Sequence, residues 1–184
     1  MTLPISPLPK GNFVFKIISG GMGGVGKTTF LLRYMNQRFI DDQQMTIGVQ
    51  FHLKTLQLEA ATVNLALWDL GGQERFRFMQ GTYMKGASAA LVFFDINMLI
   101  TLYKLDEWIK LIYESTSPDI PILLVGTKAD IATKEVLQQA NEEAALFVQE
   151  QNLMGYLPTS SKSGQNVEDA IQKIVLFLLS RGRH

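Results

Sequence analysis

The segment that most constrains this chain is Gly21-Met-Gly-Gly-Val-Gly26-Lys27-Thr28, a complete Gly-x4-Gly-Lys-Thr set between an apolar run and an amphipathic one. Before it, Phe13 to Ser19 is almost continuously apolar, as a buried strand is. After it, Lys27 to Asn36 places Phe30, Leu31, Tyr34 and Met35 on one helical stripe. In that context the residues suit an anion. Gly21, Gly23, Gly24 and Gly26 let the backbone N–H groups of the loop, Val25 included, curl around phosphate oxygens without Cβ clashes. The helix beginning at Lys27, Thr28 and Thr29 adds its dipole, Lys27 brings a mobile positive charge, and the Thr28 hydroxyl suits Mg²⁺.

The rest of the chain supplies the frame such a loop needs. Val49 to Leu58 alternates like a half-exposed strand, and Val63 to Asp69, Ser88 to Asp95 and Ile120 to Gly126 are dense, β-rich runs. Helical stripes separate them: Leu102, Leu105, Ile109 and Ile112; then Val136, Leu137, Ala140 and Ala144; finally Val167, Ala170, Ile171, Ile174 and Leu178. Strand and helix alternate, which predicts an α/β fold: a mainly parallel sheet covered by helices, with ligand loops at the carboxyl ends of the strands. Residues 1–12 are a lead-in punctuated by Pro4, Pro7 and Pro9, residues 13–180 one domain, and residues 181–184 a tail. A length of 184 residues, 47% of them hydrophobic, supports one such core and not two.

Composition narrows the ligands. Seventeen basic residues balance seventeen acidic ones, so no global field draws the chain to nucleic acid or anionic lipid. Cysteine is absent, which removes disulfides, thiolate catalysis and the thiols that lipid anchors modify. The longest apolar runs, Ala89 to Phe94 and Ile174 to Leu179, are far shorter than a bilayer span. A cytoplasmic protein is expected, reaching membranes through partners or a further tail.

Two more loops give the phosphate loop a chemistry. Trp68-Asp69-Leu-Gly71-Gly72-Gln73 puts an acid at the end of an apolar strand, where Asp69 suits Mg²⁺, Gly72 can offer its N–H to a γ-phosphate and Gln73 can orient the attacking water. Gly126-Thr127-Lys128-Ala129-Asp130 follows another apolar strand. There the Asp130 carboxylate accepts from both the N1–H and the exocyclic amine of guanine, whereas adenine presents an acceptor at N1 and is rejected. The stem of Lys128 can lie along the base, and Thr159, Ser160, Ser161 and Lys162 after the last strand are expected to close the pocket with backbone N–H groups.

Taken together, the motifs resemble those of Ras-superfamily small GTPases over residues 13 to about 180, and within that superfamily the chain is most similar to Rab proteins. Thr46-Ile-Gly-Val-Gln-Phe51, Gln73-Glu-Arg-Phe-Arg77, Tyr83-Met-Lys-Gly86 and Leu91-Val-Phe-Phe-Asp95 carry the likeness. The pairing of Trp-Asp-Leu-Gly-Gly-Gln with Gly-Thr-Lys-x-Asp also resembles the GTPases that trigger septum formation in fungi. The resemblance implies a Ras-like P-loop domain with a six-stranded sheet and helices on both faces. It implies Thr28, Thr46 and Asp69 around Mg²⁺, Phe39 beside the guanine, and Gln73, Lys27 and Thr46 as the catalytic set. Residues 39–48 and 71–84 become two switches, and Phe51, Trp68 and Tyr83 an aromatic cluster facing effector proteins. GTPase-activating and exchange proteins are implied as further partners of a monomer. The chain departs from the pattern at Thr127, where asparagine is usual, and in lacking the cysteines by which Rab proteins are prenylated. Two alternatives stay open: a P-loop kinase, for which no Arg-rich lid is apparent, and a GTP-binding scaffold that barely turns over.

Overall fold

A computed structural model describes residues 9–39, 46–72 and 77–182. Six strands form one sheet in the order β2-β3-β1-β4-β5-β6. They are β1 Gly11–Gly20, β2 Val49–Gln57, β3 Ala61–Leu70, β4 Ala89–Asp95, β5 Ile122–Thr127 and β6 Gly155–Pro158. Only β2 runs antiparallel to its neighbour, β3; the other pairings are parallel. Chain order reverses on the two sides of β1, and a crevice opens there at the carboxyl end of the sheet.

The helices are α1 Lys27–Asn36, α2 Arg77–Met84, α3 Ile100–Tyr103, α4 Leu105–Ser115, α5 Lys134–Glu150 and α6 Val167–Arg181. Their apolar stripes explain where they sit. Phe30, Leu31 and Tyr34 of α1 and Ile171, Ile174 and Val175 of α6 pack with Ile17, Leu65, Leu67 and Phe93 on one face of the sheet. On the other face Leu102, Leu105, Trp108, Ile109 and Ile112 join Ala140, Ala144 and Phe147 against Ile18, Val92, Phe94 and Leu124. Both faces are therefore covered, which is why β4 and β5 are buried at every position.

Strand ends shift by up to two residues from the sequence expectations, as at β1, and two helical readings change. β1 takes in Gly11 and Asn12, because Gly11 N–H bonds the Ala60 carbonyl and begins the pairing with β3. The single stripe from Leu102 to Ile112 is carried by two helices, with Lys104 between α3 and α4. An additional short helix, α2, lies within the segment read as the second switch.

Candidate functional site

The loops at the carboxyl ends of β1, β3 and β5 converge. Gly26 stands at the start of α1 with φ of 97°, a left-handed backbone that suits glycine, and no side chain caps the helix. The first N–H groups of α1 thus keep no partner from within the helix, which leaves them to an anion. Lys27 is almost wholly buried, its ammonium donating to the Gly21 and Met22 carbonyls at 2.8 Å each. Burial lowers its pKa to about 8, with the Asp69 carboxylate pulling it back upward. A charge held this way is matched to phosphate oxygens.

Beside Lys27, three oxygens from three segments meet. Thr28 Oγ1 donates to Asp69 Oδ2, Thr46 Oγ1 lies 2.6 Å from Thr28 Oγ1, and Thr46 Oγ1 reaches Asp69 Oδ2 at 3.2 Å. Two hydroxyls and one carboxylate are hard donors, a set that suits Mg²⁺ with its retained waters and leaves places for phosphate oxygens. Among the described residues no group of three His, Cys, Asp or Glu side chains competes as a metal site.

Gly72 leans on the phosphate loop, its carbonyl accepting from Gly23 N–H at 3.2 Å. A Cβ there would collide with the backbone of Gly21, Met22 and Gly23, so only glycine permits the approach. Gln73 lies outside the described residues. Gln80, buried in α2, donates to the Gly71 carbonyl and ties α2 to this loop.

A cleft of about 290 Å³ opens next to the phosphate loop, lined by Gly26, Thr29, Phe39, Thr127, Lys128, Asp130, Ile131, Ser161 and Lys162. Thr159 and Ser160 differ from the expectation that their backbone N–H groups face the ligand, since these donate to the Gly126 and Gln165 carbonyls. Ser160 acts instead through its hydroxyl, which donates to Asp130 Oδ1 at 2.6 Å. Lys128 spans the cleft edge, pairing with the buried Asp95 carboxylate at 2.7 Å and donating to the Gly24 carbonyl at 3.1 Å. The Thr127 hydroxyl reaches the phosphate loop, contacting the Val25 carbonyl at 2.5 Å and the Phe94 carbonyl at 3.0 Å. A hydroxyl carries one proton, so both contacts cannot be made at once, and none is left for a base.

Sequence reasoning missed Ser19, Gln80, Asp95 and Ile131 at this site. Asp95 ends an apolar strand, the same signal that picked out Asp69, and Gln80 and Ile131 have no comparable mark.

Comparison with known proteins agrees with the geometry. The Ras family pattern matches residues 16–179. The chain belongs to the Ras family of small GTPases. It is 37% identical to the Ras-related protein Rab-25 of Mus musculus over 170 residues, covering 92% of this chain and 78% of that one. It is 36% identical to Rab-25 of Homo sapiens over the same shares, and 33% identical to RABD2c of Arabidopsis thaliana over 94% of this chain and 84% of that one. This GTPase brings together the rings of Phe51 on β2, Trp68 on β3 and Tyr83 on α2, the first pair stacked with centroids 5.8 Å apart and the second tilted at 6.3 Å. The Lys16 ammonium sits 4.1 Å from the Trp68 ring. Among the described residues no helix is long and apolar enough to cross a membrane.

Proposed function

We propose that this GTPase is a molecular switch that binds GTP with Mg²⁺, hydrolyses it slowly, and presents residues 39–48 and 71–84 to effector proteins in the GTP state. The meeting of Thr28, Thr46 and Asp69 carries the reading. It ties the proposed first switch, through Thr46, to the loop that would hold β- and γ-phosphates. When bound there, Mg²⁺ neutralises developing negative charge on the phosphoryl group. Lys27 holds the phosphates, Thr28, Thr46 and Asp69 hold the metal, Gly72 offers its N–H at the γ-position, Gln73 orients water, and Asp130 selects guanine. Loss of the γ-phosphate removes a reason for Thr46 to stay, which releases the first switch. Vesicle trafficking is the process this reading favours, on the likeness to Rab proteins.

A single-turnover assay with GTP and ATP, with and without Mg²⁺, tests the proposal. Slow turnover confined to GTP and dependent on Mg²⁺ is expected. Equal turnover of ATP, or turnover indifferent to Mg²⁺, overturns it.

Two narrower predictions follow from the site. Phe51 is 62% exposed while Trp68 is packed between Phe51, Tyr83 and Lys16, so Phe51 is the member with area left to give a partner. Phe51→Ala is expected to weaken effector binding by about 30-fold, as loss of an aromatic anchor does, with GDP affinity unchanged. Unfolding of this variant in the absence of a partner would mark the cluster as structural.

At Thr127, an asparagine could keep the loop contact and add a donor toward the base. One neutral hydrogen bond is worth about 0.5–1.5 kcal/mol, so Thr127→Asn should slow release of a fluorescent GDP analogue by roughly three- to tenfold. Equal or faster release means that threonine already serves the nucleotide fully.

A further inference from the structure

β1 and β3 run parallel and in register, pairing Ile17 with Leu67 and Ser19 with Asp69. Side chains of this column enter the core under α1 and α6, and its lower rungs are apolar: Phe15 and Ile17 on β1, Leu65 and Leu67 on β3. The last rung is polar and equally buried, with Ser19 and Asp69 both essentially inaccessible to water. An apolar side chain would fill the position of Ser19 as well as those below it. The hydroxyl therefore calls for an explanation in terms of Asp69.

The hydrogen bonds supply one. Asp69 divides its two oxygens: Oδ2 receives the hydroxyls of Thr28 and Thr46, and Oδ1 receives that of Ser19 at 3.1 Å. Ser19 Oγ also accepts the Leu70 N–H at 3.2 Å. An amide N–H only donates, so a lone pair of Ser19 is committed to Leu70 and its single proton is turned to Asp69. The serine is itself held by strand backbone, and it fixes which carboxylate oxygen faces the two threonines.

We infer that Ser19 is a positioning residue for Mg²⁺, an outer donor that locks the Asp69 carboxylate with Oδ2 toward the ion; the inference rests on the magnesium reading of Thr28, Thr46 and Asp69. Without the hydroxyl, Oδ1 is a buried acceptor lacking its donor, and the carboxylate is drawn to rotate and share the threonine protons. Partners of this kind typically carry 10- to 100-fold in metal affinity.

Release of a fluorescent GDP analogue across a Mg²⁺ titration tests the inference on the whole chain. In the natural protein, Mg²⁺ should slow release with a defined midpoint. Ser19→Ala should move that midpoint to roughly 10- to 100-fold higher Mg²⁺ while release in the absence of Mg²⁺ stays the same, and Ser19→Thr, which keeps the hydroxyl, should restore it. Should Ser19→Ala fail to fold, Ser19→Cys, of similar size but with a weak donor, serves the same comparison. An unshifted midpoint overturns the role of Ser19. Faster release by the same factor at every Mg²⁺ concentration, zero included, shows packing alone and overturns it too. Release from the natural protein that ignores Mg²⁺ overturns the magnesium site itself, and the inference with it.

Discussion

Gln73→Leu should slow single-turnover hydrolysis of GTP on the order of 100-fold while leaving GTP affinity within about twofold, since a misplaced attacking water costs about that much. The distinction between rate and affinity follows from the proposed role. A side chain that only orients water is needed on the way to the transition state and contributes nothing to the bound ground state. The two residues before it are held in place: Gly72 bonds to Gly23 of the phosphate loop, Gly71 N–H bonds the Gly48 carbonyl at 2.8 Å, and Gln80 holds the Gly71 carbonyl. The intrinsic rate should be low even with Gln73 intact, because the lysines that reach the phosphate loop, Lys27 and Lys128, both donate to its carbonyls. In related GTPases an arginine supplied by a partner adds roughly 10³ to 10⁵ in rate. A partner of that kind should accelerate the natural protein by a similar factor and Gln73→Leu by far less. Full turnover in Gln73→Leu, alone or with the partner, removes Gln73 from the mechanism.

Much of this site could be read in the chain because its chemistry is local. Gly21 to Thr28 declares itself by spacing, and Asp69 and Asp130 by ending or following apolar runs, so β1, β3 and β5 could be placed with their loops. Ser19 carried no such mark. Its meaning depends on the pairing with Asp69 across two strands far apart in sequence, and a serine ending a strand is ordinary. Asp95 does end an apolar run, yet its part in the site shows only in the register of β4 with β5, which sets it opposite Thr127 and so beside Lys128. The break between α3 and α4 escaped notice for another reason. Leu102, Leu105, Ile109 and Ile112 keep helical spacing through Lys104, whose φ of −77° and ψ of −4° barely leave the helix, so hydrophobic periodicity passes over it. Helix α2 is short, with Gly81 in its middle, which weakens propensity and pattern alike.

Asp130→Asn should weaken GDP binding by roughly 10² to 10³ and improve binding of xanthosine diphosphate. The reason lies in Ser160. Its Oγ accepts the Ser163 N–H at 3.1 Å and donates to Asp130 Oδ1 at 2.6 Å, so its proton is already directed at residue 130. That proton requires an acceptor. In the natural protein Asp130 meets it with one oxygen, which leaves further lone pairs that would accept from the two donors on the guanine edge. An asparagine has a single oxygen, which Ser160 claims, and its amide NH₂ then faces the base. Against guanine, NH₂ meets an exocyclic amine, donor against donor. Losing one charge-assisted hydrogen bond outright and weakening another costs about 3–4 kcal/mol, which is two to three decades in affinity. Xanthine carries a carbonyl where guanine carries that amine, and the asparagine NH₂ can donate to it. Competition of GDP, xanthosine diphosphate and ADP against a fluorescent GDP analogue measures all three affinities in both proteins. Loss of GDP and xanthosine diphosphate binding by the same factor would mean that residue 130 shapes the loop and does not read the base. Unchanged GDP affinity would place guanine recognition elsewhere in the cleft, with Lys128 and the backbone of Ser161 and Lys162 the groups left to supply it.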